Sequence, residues 1–366
     1  MKDYFIHTIG IQTYLTDVQL DSLCRAYDGV KNENNDPVCY FDQTEKKRVF
    51  SKYAHMGFRM KIDFANPTVK KFDSRKRKYT AEWIVTPAKL LYHGQSMAKL
   101  FSIEEYVKAC AVLKEILDEI KRDSGVDLLD EAKLYRVDVT KDIESTSDAF
   151  TQEVIRRAKK SLDQRGYQLA DSVTEEKRNK NYKDENAVFF HNVNQRVFAK
   201  LYNKKEDMRI HHYDDGNLPG LIRMEISLLR KFLRNEKYIT EKFLDMDDLP
   251  YVLCNILLQA DRLMRKFLIA PLGHGAMLSK ELQKKYIRIT CKSTKAKLEK
   301  MMKYRRECAR KENIADVKGH TAAERYFEEI GLSPLYTSEE VRYIPSFENL
   351  LDGTSDEQFE RFLCLH

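Results

Sequence analysis

The sequence predicts an α+β fold: one sheet with helices against one face, followed by a basic and mostly helical C-terminal region. Three observations predict it. Six runs alternate apolar and polar residues at period two, two long stretches among them repeat apolar residues at helical spacing, and the alternation stops near Asp245. Period two marks half-buried strands, and a period near 3.6 marks helices packed on one face.

The N-terminal "MKDYFIHTIGIQTY" lacks the small-residue cleavage site of a secretory signal and reads as a first strand, with His7 part of its core. "FRMKIDF" (58–64) and "AEWIVTP" (81–87) follow as strands, and "KKFDSRKRKY" (70–79) between them reads as a basic hairpin loop. Pro87 ends its strand and opens a turn or helix. Lys89, just beyond, is either a surface residue at a helix start or a phosphate contact. "SIEEYVKACAVLKEILDEIKRDSG" starts at the cap Ser102 and ends at Gly125, and a second helix runs from about Ser147 to Gly166. The remaining strands are "LYRVDVTKDI" (134–143), "NAVFFHN" (186–192), "RVFAKLYNK" (196–204) and "LIRMEISLL" (221–229). That order, strands interrupted by two helices, is the α+β pattern. Beyond it, "DDLPYVLCNILLQADRLMRKFL", the lysine-rich segment after Lys280 and "TAAERYFEEIGL" read as helices. The expected division is a mixed domain over 1–245 and a basic helical domain over 246–366.

The net charge is +7, but residues 280 to 311 alone carry thirteen Lys or Arg against three Glu. The remainder is therefore near neutral, and the concentrated charge suits a polyphosphate partner or else a merely solvated basic face. Seven cysteines (24, 39, 110, 254, 291, 308 and 364) are scattered without a CxxC pair, which argues for reduced thiols rather than a zinc knuckle or disulfide framework. No apolar run approaches the roughly 20 residues that cross a bilayer, so a cytoplasmic protein is expected.

Strand side chains alternate between faces. Val137, Val139, Val197, Ala199, Leu201, Ile222, Met224 and Ile226 take one face. Arg136, Asp138, Phe198, Lys200, Tyr202, Lys204, Arg223 and Glu225 take the other. Two carboxylates on neighbouring strands repel unless something positive lies between them. A hard divalent cation is one answer, and cross-strand pairing with the arginines is the other. A phenol with a pKa of about 10 is ionised about one time in a thousand at neutral pH, a deficit of roughly 4 kcal/mol. Nearby lysines reduce that deficit, so Tyr202 is either a nucleophile for a phosphodiester or a surface tyrosine stacked on Phe198.

Four motifs then come in order: "VTPAKLLYHGQSM" (85–97), "LYRVDVTKD", "VFAKLYNKKED" and "GLIRMEISLLRKFL". Over about residues 50 to 235 they resemble the gene II-type replication initiators of filamentous phages. The "YNKKE" element also resembles that of plasmid rolling-circle initiators with a reactive tyrosine. The resemblance implies an HUH-endonuclease-like fold with an antiparallel, palm-like sheet, and a strand-specific origin nickase that rejoins DNA through a 5′-phosphotyrosine. It implies Tyr202 as nucleophile assisted by Lys204, and Asp138 and Glu225 as ligands of Mg²⁺ or Mn²⁺. His93 falls near the family's Gly-His, but the order here is His-Gly, so it is a third ligand or the holder of a turn. Tyr182 or Tyr213 would serve as a second tyrosine, whereas the adjacent His211 and His212 would face opposite ways on a strand and read as loop. DNA contacts fall to Lys89, Arg136, Lys200, Arg223, Lys284, Lys285, Arg288, Arg305 and Arg306. Origin DNA, a host helicase and a polymerase are the implied partners, in a bacterial cytoplasm. Two alternatives stand beside this: a mobilisation relaxase of an integrative element, and a non-catalytic origin or operator binder.

Overall fold

The computed structural model describes residues 3–63, 79–95, 97–145, 148–159, 167–169, 187–192, 194, 196–210, 220–272, 295–311, 318–330 and 347–352. The chain is α+β, with an open sheet whose register is antiparallel in the pairs described below. It forms two compact units, Met1–Thr140 with Ser227–Ala260, and Lys141–Ile226 with Asp261–His366. The expected boundary at 245 falls inside the second segment of the first unit.

In the first unit, β1 (Tyr4–Leu15) pairs with β5 (Tyr79–Val85), setting Ile9 opposite Val85 and Leu15 opposite Tyr79. β5 continues to β4 (Phe58–Asp63), then to β3 (Lys47–Phe50) and β2 (Cys39–Asp42). Period-two alternation is realised in β4, where Phe58, Met60 and Ile62 are buried and the residues between them half-buried. Their cross-strand partners Val85, Trp83 and Ala81 are buried as well, so one face of this pair is core. On its other side β1 neighbours β6 (Lys133–Glu144). Gly10 of β1 is glycine for a steric reason: a Cβ there would stand 2.7 Å from the Tyr135 ring.

α3 (Ile103–Ser124) begins where Ser102 and Glu105 form a reciprocal capping box. The Glu105 N–H donates to Ser102 Oγ at 3.3 Å, and the Ser102 N–H donates to Glu105 Oε2 at 3.0 Å. It ends at Gly125, whose φ of 73° lies in the left-handed region and whose N–H donates to the Lys121 carbonyl. Tyr106, Cys110, Leu113, Leu117 and Ile120 form its buried stripe, and the Tyr106 hydroxyl accepts from the Ile6 N–H of β1 at 2.9 Å. α1 (Asp17–Ala26) is a helix that alternation does not reveal; Thr16 and Gln19 cap it in the same reciprocal way. α2 (Pro87–Leu91) starts with Pro87 in its first turn, as the proline predicts.

In the second unit the strand order is β10 (Leu221–Leu229), β9 (Val197–Asn203), β8 (Ala187–Asn192) and β7 (Tyr167–Leu169). β6 and β10 are hydrogen-bonded neighbours, and each contributes residues to both units. α4 (Asp148–Lys159) packs on β8 and β9. A π-helical turn, Arg265–Ile269, packs on β9 with Phe267, Leu268 and Ile269 buried. The helix Phe347–Asp352 packs on that turn, and Lys141 Nζ donates to the Leu351 carbonyl at 2.8 Å. These described segments pack together with β9 inside the second unit. β9 passes directly into α5 (Lys204–Ile210), where the Glu206 N–H donates to Asn203 Oδ1 at 3.0 Å. No helix among the described residues is long and apolar enough to cross a membrane.

Ser102→Ala removes the side-chain half of the α3 capping box and is expected to cost about 1 kcal/mol. A lowered urea midpoint at unchanged slope is the expected reading, and an unchanged midpoint would show that the cap contributes nothing.

Candidate active site

β10 is buried from Leu221 to Leu228, so the face carrying Arg223 and Glu225 is as enclosed as the face carrying Ile222 and Met224. A buried guanidinium needs a paired anion, and Asp142 of β6 supplies it. Arg223 Nε donates to Asp142 Oδ1 at 2.5 Å and Nη2 to Oδ2 at 2.7 Å, with both side chains 2% exposed. This is the planar bidentate geometry that arginine forms and lysine does not. Burial works against the Arg223 charge, yet the Asp142 hydrogen bonds prevail, with Tyr202 and then Glu225 adding to them. The net result holds its pKa above the usual guanidinium value. Arg223, Asp142, Tyr202 and Glu225 therefore form one electrostatic cluster inside the second unit.

Lys204 joins it. The strand ends at Asn203, so Lys204 is the first residue of α5 and not a further strand position. Its ammonium is buried and donates to Asp207 at 2.6 Å. Burial first, and the Arg223 charge second, lower its pKa from the usual lysine value, against the opposing pull of Asp207 and Asp142.

Tyr202 is 2% exposed, which overturns its reading as a surface aromatic. Lys200 lies over its ring at 3.8 Å from the centroid and over the Phe189 ring at 5.8 Å. A cation held against a ring face in a shielded place contributes about 0.5–2 kcal/mol. Phe198 packs instead against His191, its partner on β8, at 6.0 Å.

Asp138 belongs to the first unit and is 1% exposed. Arg136, two residues away on the same strand, donates Nε to Oδ1 at 2.7 Å and Nη2 to Oδ2 at 2.6 Å. The charge of Asp138 is thus met by an arginine of its own strand rather than across strands. Glu225, in the second unit, is 5% exposed. Among the described residues no three His, Cys, Asp or Glu side chains come together as a metal-ligating group. A carboxylate accepts up to about four donors, so a hard cation can share Asp138 with Arg136 and complete its shell with water and phosphate oxygens.

His93 is exposed in the turn after α2, with φ of 48°. Gly94 follows with φ of 92°, and a Cβ there would meet the His55 carbonyl at 2.6 Å. Glycine at 94 is thus required by the turn, whatever the role of His93. Lys89 is half-buried on α2. Arg306 is exposed on the helix Lys295–Lys311, where its Nε donates to the Met302 carbonyl at 3.3 Å. Lys284, Lys285, Arg288, Tyr182, Tyr213, His211, His212 and the basic stretch 70–78 lie outside the described residues, as does the side chain of Arg305.

Asp142 and Asp207 were not singled out from the sequence. Continuing the alternation Arg136, Asp138, Thr140 by one step reaches Asp142, and that step was the available signal. Asp207 was hidden because α5 was read as the charged end of a strand. No family model matches this chain, and no curated protein does either.

Asp142→Asn removes the bidentate anionic partner of the buried Arg223 charge and is expected to destabilise the protein by about 3–5 kcal/mol in chemical unfolding. Asp142→Asn with Arg223→Met, which removes both charges, should recover part of that loss; a double variant as unstable as the single would contradict the pairing. Lys204 adds a pH signature. Its folded pKa is depressed, so in the window just below the ordinary value of about 10.4 the unfolded chain binds more protons and stability rises with pH. Lys204→Met should flatten that rise in unfolding curves taken across the window, and an unaltered rise would contradict it.

Proposed function

We propose that the chain is a strand-specific DNA nicking and rejoining enzyme that initiates rolling-circle replication of a phage or plasmid in a bacterial cytoplasm. The observation that carries this reading is the gathering of Tyr202, Lys204, Arg223 and Glu225 in one unit around the Arg223–Asp142 pair. A tyrosine needs cations beside it to attack a phosphodiester, since ionising a free phenol at neutral pH costs roughly 4 kcal/mol. Arg223 and Lys204 provide fixed positive charge inside a shielded environment, where such charge acts most strongly on a developing anion.

In the proposed reaction, a bond forms between Tyr202 Oη and the scissile phosphorus, and the bond to the 3′ oxygen breaks. The phenol proton goes to a neighbouring base and the released 3′ oxygen takes up a proton. The 5′ phosphate stays on Tyr202. A later 3′-OH attacks that phosphotyrosine and reseals the strand, so joining requires no nucleotide cofactor. Mg²⁺ or Mn²⁺, with Glu225 as the candidate ligand in the second unit, would neutralise charge on the phosphate when bound. Lys89, Arg136, Lys200 and the basic residues after 280 would hold the DNA backbone, giving affinity without sequence reading. A host helicase and polymerase would then extend the 3′ end. A mobilisation relaxase would use the same chemistry on a different replicon.

The 2% exposure of Tyr202 favours a second reading, a DNA-binding protein in which Tyr202 and Arg223 only stabilise the sheet. On the enzymatic reading, DNA binding must uncover the tyrosine. The two readings separate on 5′-labelled and 3′-labelled single-stranded oligonucleotides from the native replicon, incubated with Mg²⁺ or Mn²⁺ and run on denaturing gels. A covalent adduct on the 3′-side fragment, lost in Tyr202→Phe, is the expected result. Tight duplex binding with no cleavage under either metal would leave the binding protein.

A further inference from the structure

Two half-buried cysteines face each other in the first unit, far apart in any motif but joined by the fold. Cys24 lies in the last turn of α1, and Tyr27, one helical turn later, lies on the same side. The Tyr27 ring rests on Phe50 of β3 at 4.7 Å between centroids. Phe50 is the cross-strand partner of Cys39 on β2, and directly opposed residues on antiparallel strands have neighbouring Cβ atoms. The helix face carrying Cys24 is thereby laid against the strand position carrying Cys39. The two thiols act on each other's protonation, Cys24 being drawn down and Cys39 pushed up. The intervening chain is already drawn together by backbone contacts, a Lys31–Pro37 bridge and a Val38 N–H to Val30 carbonyl bond of 3.0 Å.

We propose that Cys24 and Cys39 form a reversible dithiol–disulfide site, oxidised by a low-molecular-weight disulfide of the glutathione class. Cys24 is the attacking thiolate: the Cys39 hydrogen bond, and to a smaller extent the Arg48 charge, outweigh burial, Asp21 and Asp28 and bring its pKa to about 7. Cys39 is pushed up, first by its hydrogen bond to Cys24 and then by burial, and acts second. A thiol poised near ambient pH is the fastest attacker on a disulfide. The Cys24 thiolate attacks one sulfur of the external disulfide, forming a mixed disulfide and releasing one thiolate. That thiolate takes the Cys39 proton, and the Cys39 sulfur then attacks Cys24 and expels the second thiol. Two protein thiols are oxidised and one external disulfide is reduced to two thiols. Cys110 and Cys308 are buried, which keeps them out of the exchange. The bond would tie α1 to β2, the terminal strand of the sheet.

The test uses the full chain, incubated with oxidised glutathione at neutral pH and then mapped by peptide mass spectrometry after thiol blocking. Wild type should yield a Cys24–Cys39 cross-linked peptide that disappears on reduction. Cys39→Ser should stop at a glutathione adduct on Cys24, whereas Cys24→Ser should leave Cys39 largely unmodified. Alkylation of Cys24 in the wild type should show a rate midpoint near pH 7 rather than the ordinary thiol value of about 8.5. Folded wild-type protein that forms no such cross-link, or that is modified at Cys254 in preference to Cys24, overturns the proposal.

Discussion

The Arg223–Asp142 pair is the constraint on which the second unit depends. Two opposite charges at 2% exposure have surrendered their hydration, and only paired geometry at 2.5 and 2.7 Å makes that tolerable. Arg223 sits on β10 and Asp142 on β6, so the pair fixes the register of neighbouring strands as well as their charge. Everything polar nearby is then conditioned by it. Lys204 loses proton affinity first through burial and then because Arg223 is charged beside it, and Tyr202 lies where a guanidinium is held permanently positive. A hydrophobic replacement of the pair would pack as well or better. Its presence in a buried strand whose other residues, apart from Glu225 and Ser227, are leucine, isoleucine and methionine is what a structural account alone leaves without a reason.

Tyr202 is in turn held from two sides. Lys200 covers its ring, and Arg223 interacts with it electrostatically. Both partners are cations, and a neutral core tyrosine needs neither. That preference for positive charge around a phenol underlies the proposal of a nucleophile, while its burial underlies the competing proposal of a binding protein. Asp138 carries the same ambiguity in smaller form, since Arg136 takes both of its oxygens and each oxygen retains a lone pair.

The sequence was legible where one physical signal dominated. Alternation located β4, β5, β6, β8, β9 and β10 because each has at least one face against core, and Ser102 and Gly125 bracketed α3 because capping chemistry is local. Three things were not legible. The β2–β3 hairpin turns without glycine, using Lys46 at φ of 52° in its place, so no turn signal announced it. α5 begins within one residue of β9, so its charged residues read as a strand running out into solvent. The enclosure of the polar face was invisible because burial on both sides of β10 depends on segments distant in sequence, and residue types suggested an open surface. Face assignment puts Tyr202 and Arg223 on one side, where they do interact, but it gives no sign of their burial or of Asp142, the partner that anchors Arg223.

The central claim is that the charged cluster exists to make Tyr202 a nucleophile. The most direct measurement replaces the scissile bond of a native single-stranded substrate with a 3′-bridging phosphorothiolate, whose thiol leaving group attacks back poorly and leaves the enzyme trapped. Peptide mapping of the trapped complex should place the 5′ phosphate on Tyr202. A phosphate found on Tyr182 or Tyr213, or no trapped complex from folded protein that binds the same strand, would contradict the account.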